Sequence, residues 1–269
     1  IGFFKFLCEL EKSFDENIDT IIYNLKAVAK AVFSFDRLTM AISCDDVNFE
    51  MAKKSLTEIF GSSDENCIIK NGTISETVKS EGIITPGKIQ YDAKAVDFGK
   101  NGFKYNGKLL VLKNIIDLEY LWNVVRVQGG AYGCGCNFLK SGNMYMYSYR
   151  DPNLKRTLDV YDKSAEFISG FNADEKAMTN YIIGAINSLD RPLSREQKIK
   201  QAIVRHIAGI TDGAVQKERE EVLSSTIEDM HGFAPLLASI KDSGYICVMG
   251  NGENINSSSE LFEKIINLK

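Results

Sequence analysis

The sequence has few cysteines, only two histidines and no long apolar run, and each shortage excludes a class of protein. Lys, Glu, Asp or Asn interrupts every apolar stretch before the roughly 18 residues that a membrane-spanning helix needs. The six cysteines are too few and too scattered to form a disulfide framework in a chain of 269 residues, so reduced thiols are expected. The sequence therefore predicts neither a membrane span nor a disulfide scaffold.

An excess of positive charge is also absent. Lys and Arg together number 32 against 36 Asp and Glu, which gives a net charge of −4, and no block of basic residues occurs anywhere. Nucleic acids and anionic membranes attract proteins mainly through clustered Lys and Arg side chains. We therefore expect no nucleic-acid partner and no membrane partner.

The histidines and cysteines do not form a metal-binding motif. His206 falls on the apolar stripe of a predicted helix and is interpreted as a packed core residue, whereas His231, beside Gly232, is interpreted as a helix-end residue. Cys134 and Cys136 would point to the same face of a strand, and no second cysteine pair lies nearby to complete a zinc site. The sequence predicts a packed thiol pair and no metal site in this chain.

Two similar stretches indicate how the chain is organised. Residues 38–60 and 245–268 each read as a short apolar strand, a polar turn and an amphipathic helix, at a separation that suits a duplicated domain. Such units also recur by chance in α/β proteins, and both interpretations stay open. If the duplication is real, residues 1–65 end one domain, the polar stretch 66–82 is a linker, and residues 83–269 form a complete domain.

Within this domain, strand patterns come early and helix patterns come later. Residues 88–98 place Ile89, Tyr91, Ala93 and Ala95 on one face, which predicts a half-buried strand with this apolar face inward. A helix follows, then a hairpin that turns at residues 141–143, and then several helices. The apolar positions of the first helix are Val111, Leu112, Ile115, Leu118, Leu121, Trp122 and Val125. An α+β fold with an antiparallel or mixed sheet covered by helices is predicted.

The run RVQGGAYG follows the first of these helices. It follows a helix and enters a strand, the reverse of the order that aims a helix N-terminus at phosphate, so nucleotide binding is not expected. Gly129 and Gly130 stop the helix, which is one sufficient explanation for them. The alternative is that they let a bound chain approach closely while Arg126 and Tyr132 converge on a carbonyl oxygen.

A family resemblance supports the second explanation. Four runs in this order resemble the C-terminal half of the pitrilysin/insulinase-type zinc peptidases, in the presequence-protease branch. The runs are WNVVRVQGGAYGCGCNF, GNMYMYSYRDPNLKRTLDVYD, YIIGAINSLDRPLS and AGITDGAVQKEREEVLSSTIEDM. The resemblance implies a metallopeptidase-like duplicated domain, one of four that enclose a peptide chamber. It also implies that the zinc motif H-x-x-E-H lies in the N-terminal half, and this chain lacks the motif.

The resemblance further implies roles for individual residues. Arg126 and Tyr132 would hold the substrate backbone beside the zinc, and Gly129, Gly130 and Ala131 would contact the substrate. The implied partners are a peptide substrate and the N-terminal half of the same enzyme, with zinc as the cofactor of the full-length enzyme and this chain inactive alone. Some relatives with this fold are non-catalytic binding or assembly subunits, which is the alternative function. The family occurs in the cytoplasm and in organelle lumens.

Two further expectations concern the junction after the hairpin and the start of the chain. Residues 148–151 are expected to fix the hairpin-to-helix junction, with Asp151 capping the helix that follows Pro152. The chain opens on Ile1, and Lys5 and Glu9 interrupt its first apolar stretch, so a signal peptide is not expected. We interpret this start as a fragment boundary or a processing site.

Overall fold

The computed structural model describes residues 2–33, 38–60 and 78–268. The chain divides into two compact units, one of residues 1–74 with 193–209 and one of residues 75–192 with 210–269. The first unit is helical throughout its described secondary structure. Its helices are α1 (Gly2–Lys12), α2 (Phe14–Val32), α3 (Asp46–Phe60) and α8 (Arg195–Ile207).

The first unit contradicts two sequence predictions. His206 is exposed on α8, which has no buried residue, so its interpretation as a packed core histidine is wrong. The apolar stripe of α8 is only partly covered, since Ile199 and Ile203 are half-buried while His206 and Ile207 are exposed. The first part of residues 38–60 was predicted to form a short strand, but no strand is assigned there in the described chain. An isolated strand leaves its backbone hydrogen bonds without partners, which explains why pattern alone does not produce one.

The second unit is built on a six-stranded mixed sheet. Its order is β3-β4-β2-β5-β1-β6, with antiparallel pairing from β3 through β5 and parallel pairing of β1 with both β5 and β6. The strands are β1 (Ser80–Ile84), β2 (Tyr91–Asp97), β3 (Gly133–Phe138), β4 (Asn143–Tyr149), β5 (Tyr245–Gly250) and β6 (Lys264–Asn267).

Helices cover one face of this sheet. Leu109, Leu112, Ile115, Met144 and Met146 are fully buried between the sheet and the helices that pack on it. The mixed sheet with helices confirms the predicted α+β class. The helices are α4 (Lys108–Ile115), α5 (Lys155–Asp162), α6 (Ser164–Gly170), α7 (Glu175–Leu189), α9 (Asp212–Leu223), α10 (Ile227–Gly232), α11 (Ala234–Ser243) and α12 (Gly252–Ser257), with a π-helix at Ile116–Val127 and a 3-10 turn at Ser259–Leu261.

The C-terminal stretch differs from its predicted strand-turn-helix form. Tyr245–Gly250 forms a strand as expected, but the helix α12 has only six residues and the chain then returns to the sheet as β6. Asn and Ser dominate α12, and these residues favour caps and turns over helix interiors. Strand β1 also begins at Ser80, inside the stretch assigned to the linker, and residues 61–77 lie outside the described residues. The predicted domain boundaries stay a prediction.

The helix before the glycine pair is wider than the sequence pattern suggests. From Ile116 to Val127 it is a π-helix, and the Gln128 N–H donates to the carbonyl of Asn123, five residues earlier. Its buried side chains therefore recur every four to five residues, at Ile116, Tyr120, Leu121 and Val125. Leu118 and Trp122 were predicted on the apolar face from a period of 3.6, but they are 55% and 45% exposed.

Strand β2 forms as predicted but with the opposite face inward. Ile89 and Tyr91 are exposed, whereas the alternate positions, occupied mainly by polar residues, face the helices. The prediction that the apolar face of this strand is buried is therefore wrong. The covered positions are Gln90, Asp92, Lys94, Val96 and Phe98.

The buried polar side chains of β2 are tolerated because they satisfy one another. Gln90 Nε2 donates to both carboxylate oxygens of Asp92 at 3.0 and 3.1 Å, and Ser148 Oγ on β4 donates to Asp92 at 3.2 Å. Lys94 pairs with Asp162 at the end of α5. Buried polar groups cost little when they are hydrogen-bonded and several kcal/mol when they are not, so this network fixes the register of β2 against β4.

The carboxyl of Asp92 makes the stability of this unit depend on pH. Burial raises the pKa of Asp92 from 3.8 to about 7, the hydrogen bonds from Gln90 and Ser148 lower it, and the charge of Asp151 raises it further. Between these two pKa values the folded state holds a proton that the unfolded state has released. The contribution of Asp92 to stability is therefore complete below about pH 4 and is lost as the pH rises towards 7, by up to about 1.4 kcal/mol per pH unit.

The Asp92→Asn variant tests this prediction. The amide keeps the shape of the carboxyl and does not ionise, so we expect a shallower loss of stability with pH than in the wild-type chain. Urea unfolding of both proteins between pH 5 and 8 measures the difference in slope. Identical pH profiles for the two proteins would show that Asp92 is already ionised in the folded state.

Candidate functional site

The candidate site lies where the π-helix ends and β3 begins. The Gly130 N–H donates to the Arg126 carbonyl at 2.9 Å, and the Ala131 N–H donates to the Val125 carbonyl at 3.2 Å. The chain then turns into β3, and Tyr132 is the last residue before this strand. This short turn brings Arg126 and Tyr132 to its two ends, with Gly129, Gly130 and Ala131 between them.

Both glycines are required by the geometry of the turn. A Cβ on Gly129 would lie 2.4 Å from the Val125 carbonyl oxygen, which no side chain can accommodate without backbone movement. Gly130 has φ of +84°, in the region that glycine alone occupies readily. These constraints explain the pair as a helix stop, and the same geometry leaves the backbone of Gly130 exposed.

We expect Gly130→Ala to destabilise the protein by about 1–2 kcal/mol, because the added Cβ strains the left-handed backbone. Gly170→Ala is the matched control, since Gly170 has no positive φ and nothing lies within 4 Å of an added Cβ. Chemical denaturation of the two variants and the wild type measures the difference. Equal stability of the two variants would contradict the assigned backbone strain.

Arg126 is half-buried in the last turn of the π-helix. Its guanidinium carbon lies 3.8 Å from the centre of the Trp122 ring, which is a close cation–π contact. Within residues 2–33, 38–60 and 78–268, no ion pair or side-chain hydrogen bond is found for this guanidinium. The stack on Trp122 therefore orients the group and leaves its N–H donors available to a ligand.

Tyr132 is 57% exposed, and contacts hold both its backbone and its ring. Its N–H donates to the Tyr149 carbonyl at 3.2 Å, and its ring packs edge-on against the Tyr149 ring at 5.2 Å between centroids. The part of the chain that the structure describes gives the phenol oxygen no hydrogen-bond partner. Tyr132 thus presents a second oriented donor on the other side of the glycine turn.

A side chain that the sequence analysis did not select holds this turn in place. Asn153 Nδ2 donates to the Gly129 carbonyl at 2.6 Å. Asp151 fixes Asn153 in turn, because its carboxylate accepts the Asn153 N–H at 2.9 Å and the Thr157 hydroxyl at 2.8 Å. The Asp-Pro-Asn sequence, which is typical of a turn, was the available signal for Asn153.

The role predicted for Asp151 needs a correction. Helix α5 begins at Lys155, and its N-cap position is Leu154, without a side-chain cap. Asp151 lies too far upstream to cap this helix, and its carboxylate closes a turn before it. Asp151 is buried, so it still fixes the junction after the hairpin, although by a different set of hydrogen bonds.

The thiols beside the site are packed, and burial disfavours their thiolate forms. Cys136 is fully buried, and burial raises its pKa well above the ordinary value. Burial also raises the pKa of the half-buried Cys134 to about 11, against a smaller lowering by the charge of Arg126. In the described part of the chain, no group of three or more His, Cys, Asp or Glu side chains could hold a metal ion.

The predicted helix-end role of His231 is confirmed. It lies in the last turn of α10, and its Nε2 is 2.7 Å from the Phe171 carbonyl oxygen. A ring nitrogen this close to a carbonyl carries the hydrogen and donates it. His231 therefore joins α10 to the end of α6 and takes no part in the candidate site.

Two hydrogen-bond donors therefore lie at the two ends of the glycine turn. A guanidinium and a phenol, both hydrogen-bond donors without internal acceptors, flank a turn whose central backbone is exposed. Such paired donors stabilise negative charge that develops on a carbonyl oxygen.

No helix of the described chain is long and apolar enough to cross a membrane.

Comparison with known proteins adds a family to this geometry. Residues 80–251 match the family described as the PreP C-terminal domain. Protein HypA of Clostridium perfringens is 36% identical over 98% of this chain and 27% of its own length. Presequence protease 1, chloroplastic/mitochondrial, of Arabidopsis thaliana is 30% identical over 98% of this chain and 25% of its own length. The chain thus spans about a quarter of the length of these relatives.

Solved structures support the fold. Pitrilysin superposes with a TM-score of 0.58 at 12% identity, over 83% of this chain and 25% of that one. A peptidase M16 inactive domain from Pseudomonas fluorescens superposes with a TM-score of 0.55 at 14% identity, over 77% of this chain and 52% of that one. At these identities the similarity concerns the fold alone.

Proposed function

Because the chain belongs to the PreP C-terminal domain family of the pitrilysin-type M16 peptidases, we propose that it is part of the half of a zinc metalloendopeptidase that does not bind the metal. The proposed substrates are unfolded peptides, enclosed between this chain and the N-terminal half of the same protein. No metal-ligand cluster is present among the described residues, so the proposal assigns the zinc to the N-terminal half. A location in the cytoplasm or in an organelle lumen belongs to the same proposal.

The observation that carries this proposal is the pair of donors at the glycine turn. Arg126 stacks on Trp122, and Tyr132 packs on Tyr149, so the orientation of both groups is set before a substrate arrives. Hydrogen-bond donors that are already oriented need no reorganisation when charge develops in the transition state. In contrast, an arginine serving only the helix terminus would need no aromatic platform.

In this proposal the two side chains act on the carbonyl oxygen of the scissile peptide bond. Nucleophilic attack on that carbonyl moves negative charge onto its oxygen, and N–H and O–H donors stabilise the charge more strongly than they bind the neutral carbonyl. Gly129, Gly130 and Ala131 would contact the substrate backbone. The absence of a Cβ at the exposed Gly130 removes the steric barrier to that approach.

The donors come from the half without the metal, so they reach the peptide only when the two halves close around it. Closure excludes bulk water, and hydrogen bonds to a charged oxygen are stronger where water is excluded. This arrangement would restrict hydrolysis to peptides that fit inside the enclosed space. It would also explain why two residues that contribute to catalysis, Arg126 and Tyr132, lie in a different half of the protein from the metal ligands.

A non-catalytic binding or assembly role is the second candidate. It is considered because the peptidase M16 inactive domain from Pseudomonas fluorescens has a similar fold. In such a subunit, nothing would require the two donors at the glycine turn to stay oriented. Nothing would require them to lack hydrogen-bond acceptors within the chain. The presence of both Arg126 and Tyr132 therefore favours the catalytic proposal.

Complementation between the two halves tests the proposed function. We expect peptide hydrolysis when this chain is mixed with the N-terminal part of the same protein, and none from this chain alone. Elemental analysis after chelator washing and reloading is expected to find about one zinc per N-terminal part and no stoichiometric zinc on this chain. Full activity of the N-terminal part alone, or a tightly held zinc on this chain, would contradict the proposal.

A further inference from the structure

Arg150 is the residue of the hairpin exit that has no evident structural task. Its neighbours Ser148 and Asp151 are buried and hydrogen-bonded, and the Tyr149 ring covers Gly133, where a Cβ would lie 2.6 Å from a ring carbon. Arg150 is instead exposed, and the described residues offer its guanidinium no ion pair. The residues on either side of Arg150 therefore hold the junction.

The backbone of Arg150 is strained. Its φ is +49°, and no other non-glycine residue in the described chain has a left-handed backbone. This conformation is unfavourable for arginine, and glycine and asparagine tolerate it better. An arginine at such a position, whose guanidinium has no ion pair among the described residues, points to a task for its side chain.

The strained backbone directs the side chain of Arg150 to the candidate site. Its guanidinium carbon lies 5.3 Å from the centre of the Tyr132 ring, on which it stacks as a cation–π pair. The cationic group is thus held within one side-chain width of the phenol that the proposed function assigns to the scissile carbonyl. Its planar fork of N–H donors remains open to an acceptor.

We propose that Arg150 determines specificity by binding a carboxylate of the peptide substrate close to the scissile bond. A planar guanidinium donates two parallel hydrogen bonds to a carboxylate, a match that an ammonium group cannot reproduce. The carboxylate belongs either to an acidic side chain or to the C-terminus of a short peptide. The inference rests on the proposed function, because it uses the position of Tyr132 at the reacting carbonyl.

The test measures a preference rather than an activity. Two peptide pairs are needed with the full-length enzyme: one pair that differs by Glu or Gln a few residues from the cleaved bond, and one that differs by a free or amidated C-terminus. We expect the wild-type enzyme to prefer the carboxylate form in one of these pairs by about tenfold in kcat/KM, as for a charge-assisted hydrogen bond. The pair that shows the preference identifies the source of the carboxylate.

Three variants separate recognition from folding. Arg150→Asn removes the charge and suits the left-handed backbone, so it is expected to abolish the preference without lowering the melting temperature. Arg150→Lys keeps the charge but not the fork, so we expect part of the preference to be lost. Arg156→Asn removes a charge from the exposed side of α5 and is the control, for which the wild-type preference is expected.

Each outcome decides one proposal. Loss of the preference in Arg150→Asn with an unchanged melting temperature supports carboxylate recognition. An equal preference in Arg150→Asn and wild type, a wild-type enzyme that cleaves both members of each pair equally, or a lowered melting temperature with equal loss on both peptides overturns it. A full-length enzyme that cleaves none of these peptides contradicts the proposed function instead, so the two failures are distinguishable.

Discussion

Replacing Tyr132 with phenylalanine in the full-length enzyme is expected to lower kcat by about 10²- to 10³-fold, the effect of deleting one donor to an oxyanion. The ring contact with Tyr149 survives this change, because only the hydroxyl is removed. The phenol makes no internal hydrogen bond in the described chain, so stability should not change measurably. A smaller change in KM is expected, because the interaction strengthens in the transition state.

Arg126→Lys tests the second donor of the same pair. A lysine keeps the positive charge, but its ammonium can neither stack flat on Trp122 nor present a planar fork, so kcat should again fall strongly. If Arg126 only stabilises the helix terminus and Tyr132 only packs, both variants should lose about 1 kcal/mol of stability and keep their activity per folded molecule. Steady-state kinetics on folded, zinc-loaded protein therefore decides, and near-wild-type kcat/KM in both variants would end the catalytic assignment.

How far the sequence predicts this structure depends on how local each signal is. The stop at Gly129 and Gly130 and the hairpin after it depend on turn residues, whose backbone requirements are local, and the structure has both features. The widening to a π-helix has no such local residue signal, and it changes which side chains of the helix are buried. The apolar period of 3.6 therefore misplaced Leu118 and Trp122.

The inward face of β2 shows a second limit. Apolar alternation selected the face of Tyr91, because a single strand carries no information about which polar groups will find partners. The partners of Asp92 and Lys94 come from β4 and α5, distant in sequence, and they make burial of the polar face acceptable. Arg126 and Tyr132 could be selected as candidates from the resemblance. Their aromatic platforms and the support from Asn153 required the structure.

The ion pair of Lys94 and Asp162 leads to the largest expected effect on stability. Lys94 is 5% exposed on the covered face of β2, with its stem against the end of α11 near Gly244, and Asp162 provides its carboxylate partner. Asp162→Ala leaves a buried ammonium without its partner, which costs about 3–5 kcal/mol. Lys94→Met keeps the contacts of the stem and leaves a carboxylate that is partly reached by water, so it should cost less.

Combining the two substitutions separates the value of the pair from the cost of a stranded charge. In Lys94→Met with Asp162→Ala no charge is left unpaired, so the double variant should be more stable than Asp162→Ala alone by several kcal/mol, of the order of the penalty removed. Glu260→Ala is the control, because its pair with Lys155 at 3.7 Å is exposed on both sides and should contribute less than about 1 kcal/mol. Urea unfolding of the wild type, the two single variants and the double variant provides the cycle, and Glu260→Ala is measured beside it as the control. A double variant as unstable as the sum of its single substitutions would show that the two groups do not interact, and that the side chain of Lys94 is held by its apolar stem alone.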